Sequence, residues 1–223
     1  MPTGDFTYPL TIDNADSAMV MYLQGANESF AERALFGLTS QVLRSPYYNE
    51  LRTEQQLGYV VLVTPSVLRR VPGIAFVVQS PVAGPNKVLD VSRSFLTHYR
   101  GALAAMSAEE FAAYKQGLIG RLRERDKNLA DRNQRYWSDL DVGFTSFDSR
   151  EQIAQQIELI DAPQLLAFYD HLLELVQKQR LVIYSRGKFD DLPPGTAITD
   201  VGAFRQSAGF VPATNGSPAA LAK

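Results

Sequence analysis

The sequence predicts an α+β fold: a single domain whose helices pack on one face of a largely antiparallel sheet. Three observations carry this expectation. Short, continuous apolar runs at residues 18–23, 59–63, 74–78 and 181–184 read as strands. The long stretch between the third and fourth runs repeats its apolar residues at three- and four-residue steps, as helices do. The resulting order β, α, α, β, β, several α, β separates strands from helices instead of alternating them, and the last strand needs the early ones as partners. Residues 1–186 are therefore read as one domain. Residues 187–223, rich in Gly, Pro, Ala and Ser and without period, are read as an extension that is loosely packed or partly disordered, above all beyond Pro212.

Taken in order, Ala18-Met19-Val20-Met21-Tyr22-Leu23 is a buried strand closed by Gly25, and Asn27 is in place to cap the helix after it. Phe30, Ala34, Leu35, Leu38, Val42 and Leu43 mark that helix's buried side. Ser45-Pro46 should interrupt it, because proline disfavours helical geometry in the preceding residue; Pro46 then opens a second short helix to about Thr53. Tyr59-Val60-Val61-Leu62-Val63 and Ile74-Ala75-Phe76-Val77-Val78 read as strands covered on at least one face, joined by an exposed loop holding Arg69 and Arg70. Helices follow through Val88, Leu89, Phe95 and Leu96, then Phe111, Tyr114, Leu118 and Leu122, then Leu129, Tyr136, Trp137 and Leu140, with Trp137 and its aromatic neighbours read as core. Ser107 with Glu110, and Ser149 with Gln152, spell capping boxes, while Asp161-Ala162-Pro163-Gln164 opens the last helix before Leu181-Val182-Ile183-Tyr184. Gly117 and Gly120 are read as sites of close helix packing.

Composition removes several functional classes. With 22 basic against 24 acidic residues the formal charge is −2, which leaves no broad positive field for nucleic acid. No run approaches the ~20 apolar residues of a membrane span, and Met1-Pro2-Thr3-Gly4-Asp5 has no leader character, so the expectation is a soluble, untargeted chain. The absence of cysteine excludes disulfides, thiolate zinc and a thiol nucleophile, and leaves the compartment open.

The titratable motifs are weak. His171-Leu172-Leu173-Glu174-Leu175 lacks the second imidazole of H-x-x-E-H, and His98 has no neighbour at ligand spacing, so no metal site is expected. The mixed-sign run from Arg121 to Lys127 reads as a solvated, ion-paired helix face. The less favoured reading sets Arg121, Arg125, Arg132 and Arg135 in a stripe for an anionic partner. Neither a P-loop, a dinucleotide fingerprint nor a G-x-S-x-G elbow is present. Residues Asn49 to Val61 hold the specific pattern. On spacing alone they are a polar helix, a glycine stop and a buried strand, with Gly58 supplying an unusual backbone angle and Arg52 pairing locally.

Leu51-Arg52-Thr53-Glu54-Gln55-Gln56-Leu57-Gly58-Tyr59 closely resembles the L-R-T-x-x-Q-L-G-Y element in the last domain of the pitrilysin and insulin-degrading-enzyme family of zinc metallopeptidases. Phe76-Val77-Val78-Gln79-Ser80 is similar to that family's strand ending in Q-S, and Phe147-Asp148-Ser149-Arg150 with Ile153, Ile157 and Leu159 resembles the bacterial pitrilysin branch. The likeness runs from about Ala18 to Tyr184. It implies the fold of a pitrilysin-family repeat domain, and specifically the fourth, non-catalytic one, since the H-x-x-E-H motif of the first is missing. Zinc would then sit in the N-terminal catalytic domain of the parent enzyme, none being bound by this chain, which would be inactive alone. The implied partners are those N-terminal zinc-bearing domains, in cis or in trans, and a peptide substrate. A start at Met1 just ahead of the first strand favours a domain cut from a longer chain. Arg52 and Tyr59 match the family residues that reach across the closed chamber to bound peptide, with Gly58 as the structural turn between them. Gln55 and Gln56 are contacts or merely exposed helix polarity. The resemblance further implies a periplasmic parent enzyme, with the cytoplasm as alternative. The other functional reading is a catalytically dead structural subunit related to processing-peptidase core proteins.

Overall fold

In the computed structural model, which describes residues 4–207, the elements run β1 (Gly4–Pro9), β2 (Ser17–Gln24), α1 (Phe30–Tyr48), a π-helical turn (Asn49–Glu54), β3 (Val60–Leu68), β4 (Val71–Ser80), α2 (Pro85–Ala104), α3 (Ala108–Leu122), α4 (Leu129–Asp141), α5 (Ser149–Leu159), α6 (Ala162–Lys178), β5 (Gln179–Ser185), β6 (Thr196–Ala197) and α7 (Val201–Ser207). The strands form one mixed sheet in the order β3-β4-β2-β5-β1-β6. β2 pairs antiparallel with both β4 and β5, and β3 antiparallel with β4, while β1 runs parallel to β5 and β6.

Alternation along the central strands defines the two faces. Met19, Met21 and Leu23 of β2 stand in register with Val78, Phe76 and Ile74 of β4, and all six are buried. Val61 and Val63 of β3 and Val182 of β5 extend this face. α1, α2 and α6 cover it through Phe36, Leu43, Tyr47, Leu89, Leu96, Tyr169 and Leu172. α3 and α5 pack behind α1. The residues between, Val20, Val60, Leu62, Val77 and Ile183, form the other face and keep part of their surface in solvent. At its far end Phe204 of α7 meets Phe6, ring centroids 5.0 Å apart.

Several local expectations need correction. α1 is capped by Ser29, whose side chain accepts from the Glu32 N–H, and Asn27 instead accepts from the Ser29 N–H. Pro46 does not break the helix. The turn around it is held by Tyr47, which is fully buried between Phe76 and Phe95 with its hydroxyl 2.7 Å from Ser92 Oγ, so tertiary packing overrides the local penalty. The loop holding Arg69 and Arg70 is only those two residues, both at positive φ (51° and 83°), the geometry of a tight hairpin; the strands continue to either side. α5 is entered through Asp148, whose carboxylate accepts from Ser146 Oγ and Gln152 Nε2 and makes no cap bond, while Ser149 Oγ is engaged with Asp139. The reciprocal capping box is at Asp161 and Gln164. A side chain at Gly120 would meet nothing within 4 Å, and one at Gly117 only Gln41 Nε2 at 3.8 Å, so neither glycine serves close packing. Trp137 and its neighbour Tyr136, read as core, are exposed at 69% and 37%, as is Leu129 at the start of α4 at 77%. Their helical spacing is that of a buried stripe, but no element among the described residues covers it. The extension expected to be loose contributes β6 and α7, whereas its part beyond Pro212 lies outside the described residues.

Candidate functional site

The segment singled out in the sequence leads from the core to the rim of the sheet. Leu51 is fully buried and anchors the π-helical turn, whose end is closed by Leu57 N–H to Leu51 O (2.9 Å) and Gln55 N–H to Glu50 O (2.9 Å). The unusual backbone angle falls on Gln56, at φ 53°, rather than on Gly58. Glycine is required at 58 for another reason: a Cβ there would lie 2.4 Å from the main-chain oxygen of Gln79 and 3.2 Å from Val78 Cγ1. Ser80, at the end of β4, ties down the same stretch by donating its hydroxyl to the Leu57 carbonyl.

Beyond Gly58 the chain enters β3 through a bulge. Val60 is the register partner of Gln79, yet the Tyr59 N–H also reaches Gln79 O, at 3.3 Å, so two residues oppose one. Such a bulge re-aims the first side chain. Here it delivers Tyr59 to the partly open face of the sheet, with 48% of the residue exposed, next to the apolar wall of Val60, Leu62 and Val77. The phenol donates to Asp16 Oδ2 at 2.9 Å, and Gln79 Nε2 points to the same oxygen at 3.5 Å. This carboxylate partner, more than desolvation, raises the phenol's pKa above its ordinary value, because it accepts from the neutral hydroxyl and repels the phenolate.

Arg52, on the π-helical turn, is half-buried. Its Nη1 donates to Tyr59 O at 2.8 Å and to Gly58 O at 3.4 Å, and its guanidinium stands 5.7 Å from the ring centroid of Tyr48. It therefore grips the main chain on which Tyr59 is mounted, not the phenol. Gln55 is tied back to Glu50 (2.7 Å), and Gln56 is exposed. Arg52, Gly58 and Tyr59 thus belong to one constellation, to which the structure adds Asp16 and Gln79. Gln79 had a signal, lying in the Q-S strand end already noted; Asp16 had none, because it is brought there by the pairing of β2 with β4.

For a metal the fit is poor. Among the described residues no group of three or more His, Asp or Glu is placed to hold an ion, and His98 and His171 are exposed on separate helices. Of the arginines read as a stripe, Arg135 is bonded to Asp126 at 2.8 Å and Arg121 to Gln41. No helix among the described residues is long and apolar enough to cross a membrane.

Comparison with known proteins places these features in context. Residues 38–137 match the family described as PQQ synthase PqqF-like, C-terminal lobe domain 4. The chain is 32% identical to Protease 3 of Salmonella typhi over 174 residues, covering 78% of this chain and 18% of that protein. It is 27% identical to the peroxisomal insulin-degrading enzyme-like 1 of Arabidopsis thaliana over 204 residues, 86% of this chain and 21% of that one. A crystal structure of pitrilysin superposes with a TM-score of 0.77 at 27% identity, covering 92% of this chain and 22% of the other. The chain thus spans about a fifth of the length of the relatives it matches.

Proposed function

Because this chain belongs to the pitrilysin family of peptidases, in the place of their C-terminal domain, we propose that it is the non-catalytic domain that closes the chamber of a zinc metalloendopeptidase and presents Arg52 and Tyr59 to bound peptide. The supporting observation is the mounting of Tyr59. The phenol stands on the partly open sheet face, and its carrier is fixed by the bulge, by the close approach at Gly58 and by Arg52. A hydroxyl held in this way is pre-organised to donate to the oxygen of a carbonyl as negative charge develops there. It would exchange Asp16 for that oxygen. Nη2 and Nε of Arg52 have no hydrogen-bond partner among the described residues and are free to donate to a peptide carbonyl. The metal chemistry is assigned to other domains of the parent enzyme by the family likeness, and this chain supplies the phenol and the guanidinium. A periplasmic parent enzyme, with the cytoplasm as alternative, is part of the same proposal.

The test joins this chain, in cis or in trans, to zinc-bearing N-terminal domains and measures peptide hydrolysis. Tyr59→Phe removes one donor and should lower turnover ~100- to 1000-fold; Arg52→Ala should lower it as well, because the mounting of Tyr59 loosens. Full activity in both variants would transfer the chain to the other reading, a structural subunit that only completes the assembly.

A further inference from the structure

We infer that the free edge of β3, with the groove beside it, captures an extended peptide segment as an added strand and selects an acidic side chain through Arg44. β3 is the first strand of the sheet and pairs only with β4. The hairpin sets which of its main-chain groups are free. A two-residue turn at Arg69 and Arg70 makes Leu68 and Val71 the mutually bonded pair. Alternation then directs the N–H and C=O groups of residues 60, 62, 64 and 66 at β4, and those of Val61, Val63, Pro65 and Val67 outward. Two facts agree with this assignment. Val63 O accepts from Ser40 Oγ at 3.4 Å, from the helix side, and Pro65, which has no N–H, falls where no ladder bond is lost.

Natural sheet edges are blunted against stray pairing. This one is blunted only towards the hairpin, by Pro65 and the two arginines. Nearer Tyr59 the N–H and C=O of Val61 and the N–H of Val63 have no main-chain partner among the described residues. Beside them lies a groove of about 450 Å³, lined by Arg44, Tyr48 and Asn49 of the helical segment and by residues 61–64 of β3. That is within the usual range for ligand sites. No carboxylate lines it, Arg44 is exposed without an ion-pair partner among the described residues, and the Tyr48 ring is 40% exposed. An added strand alternates its side chains, so every second one would face Arg44 and Tyr48. A carboxylate there would meet an unpaired guanidinium. The free edge begins two residues after Tyr59, so the captured segment would lie beside the strand that follows the phenol. This inference rests on the peptide-binding reading above and names a subsite for it.

The test uses the 223-residue chain and two capped heptapeptides of alternating Val and Thr, one with Glu and one with Lys at the centre. Amide exchange by NMR should show protection gained at Val61 and Val63, with the Glu peptide binding about fivefold tighter than the Lys peptide, the upper end for an exposed ion pair. Arg44→Glu should invert that preference, and N-methylation of alternate peptide nitrogens should abolish the protection. The inference is overturned if the Glu peptide leaves Val61 and Val63 unprotected, or if Arg44→Glu leaves the preference as it was. It is equally overturned if those amides are already protected without peptide in a dimer, which would assign the edge to a second copy. Capture needs no zinc-bearing domain, so its failure would leave the proposed role of Tyr59 standing. Failure of Tyr59→Phe to slow hydrolysis would leave capture standing.

Discussion

Gly58→Ala would place a methyl group 2.4 Å from the Gln79 main-chain oxygen, about an ångström inside ordinary contact. The atom it meets is backbone, so rotating a side chain cannot relieve the clash; the entry to β3 must move away from β4. Overpacking of this kind costs about 1–3 kcal/mol. Moving the strand also lengthens the Tyr59 N–H to Gln79 O bond, already 3.3 Å, at a further cost of about 0.5–1.5 kcal/mol. At about 2–4 °C per kcal/mol for a chain of this size, the melting temperature should fall by roughly 3–18 °C. The assay is thermal unfolding by circular dichroism, with Gly120→Ala as the control. Nothing lies within 4 Å of that site, so alanine there should hold or raise the melting temperature, by about 0.5–1 kcal/mol of helix propensity. A Gly58→Ala chain that melts with the unmodified protein would refute the close-approach argument and with it the account of how Tyr59 is mounted.

Asp16→Asn should lower the pKa of the Tyr59 phenol towards its ordinary value by replacing a charged acceptor, read as tyrosinate absorbance in difference against the matching Tyr59→Phe protein; an unchanged titration would remove Asp16 from the site. Burial pushes Tyr22 and Tyr99 up to about 12 and raises Tyr47 and Tyr169 further in the same direction. Their folded pKa values lie above the unfolded value of about 10, so their contribution is fully present below that pH and is lost as pH climbs through about 12. Urea midpoints should fall steeply over that window. Tyr22→Phe should flatten the fall at little cost near neutrality, since the Tyr22 hydroxyl is buried without a hydrogen-bond partner among the described residues.

Much of the architecture was legible because apolar period and core packing agree along most of the chain, as at Met19, Met21 and Leu23. Where they separate, the reading failed. Gly4–Pro9 is polar and short, and is a strand only because β5 and β6 flank it. Pro46 is overruled by the burial of Tyr47, which local propensity cannot register. Trp137 and Leu129 repeat at core spacing on a helix whose apolar side the described residues leave exposed. The site was half legible for a similar reason. Arg52, Gly58 and Tyr59 share one short segment whose spelling is distinctive, whereas Asp16 joins them across 43 positions and Gln79 enters through cross-strand register. Contacts made by register leave no mark in any local window.

The placing of β1 has a consequence for how the molecule is made. Its neighbours on both sides, β5 and β6, are among the last elements of the chain, so Gly4 finds Gln179 only after nearly every helix has been built. On the ribosome β1 must wait, unpaired, while β2, β3 and β4 assemble with α1 and α2. It is then stitched in by the C-terminal strands, in a slow, long-range step. Synthesis halted before β5 would leave this domain with a sheet of three strands and an unpaired β1. Closure of this sheet therefore waits on β5 and β6, and it joins the earliest of the described strands to the latest.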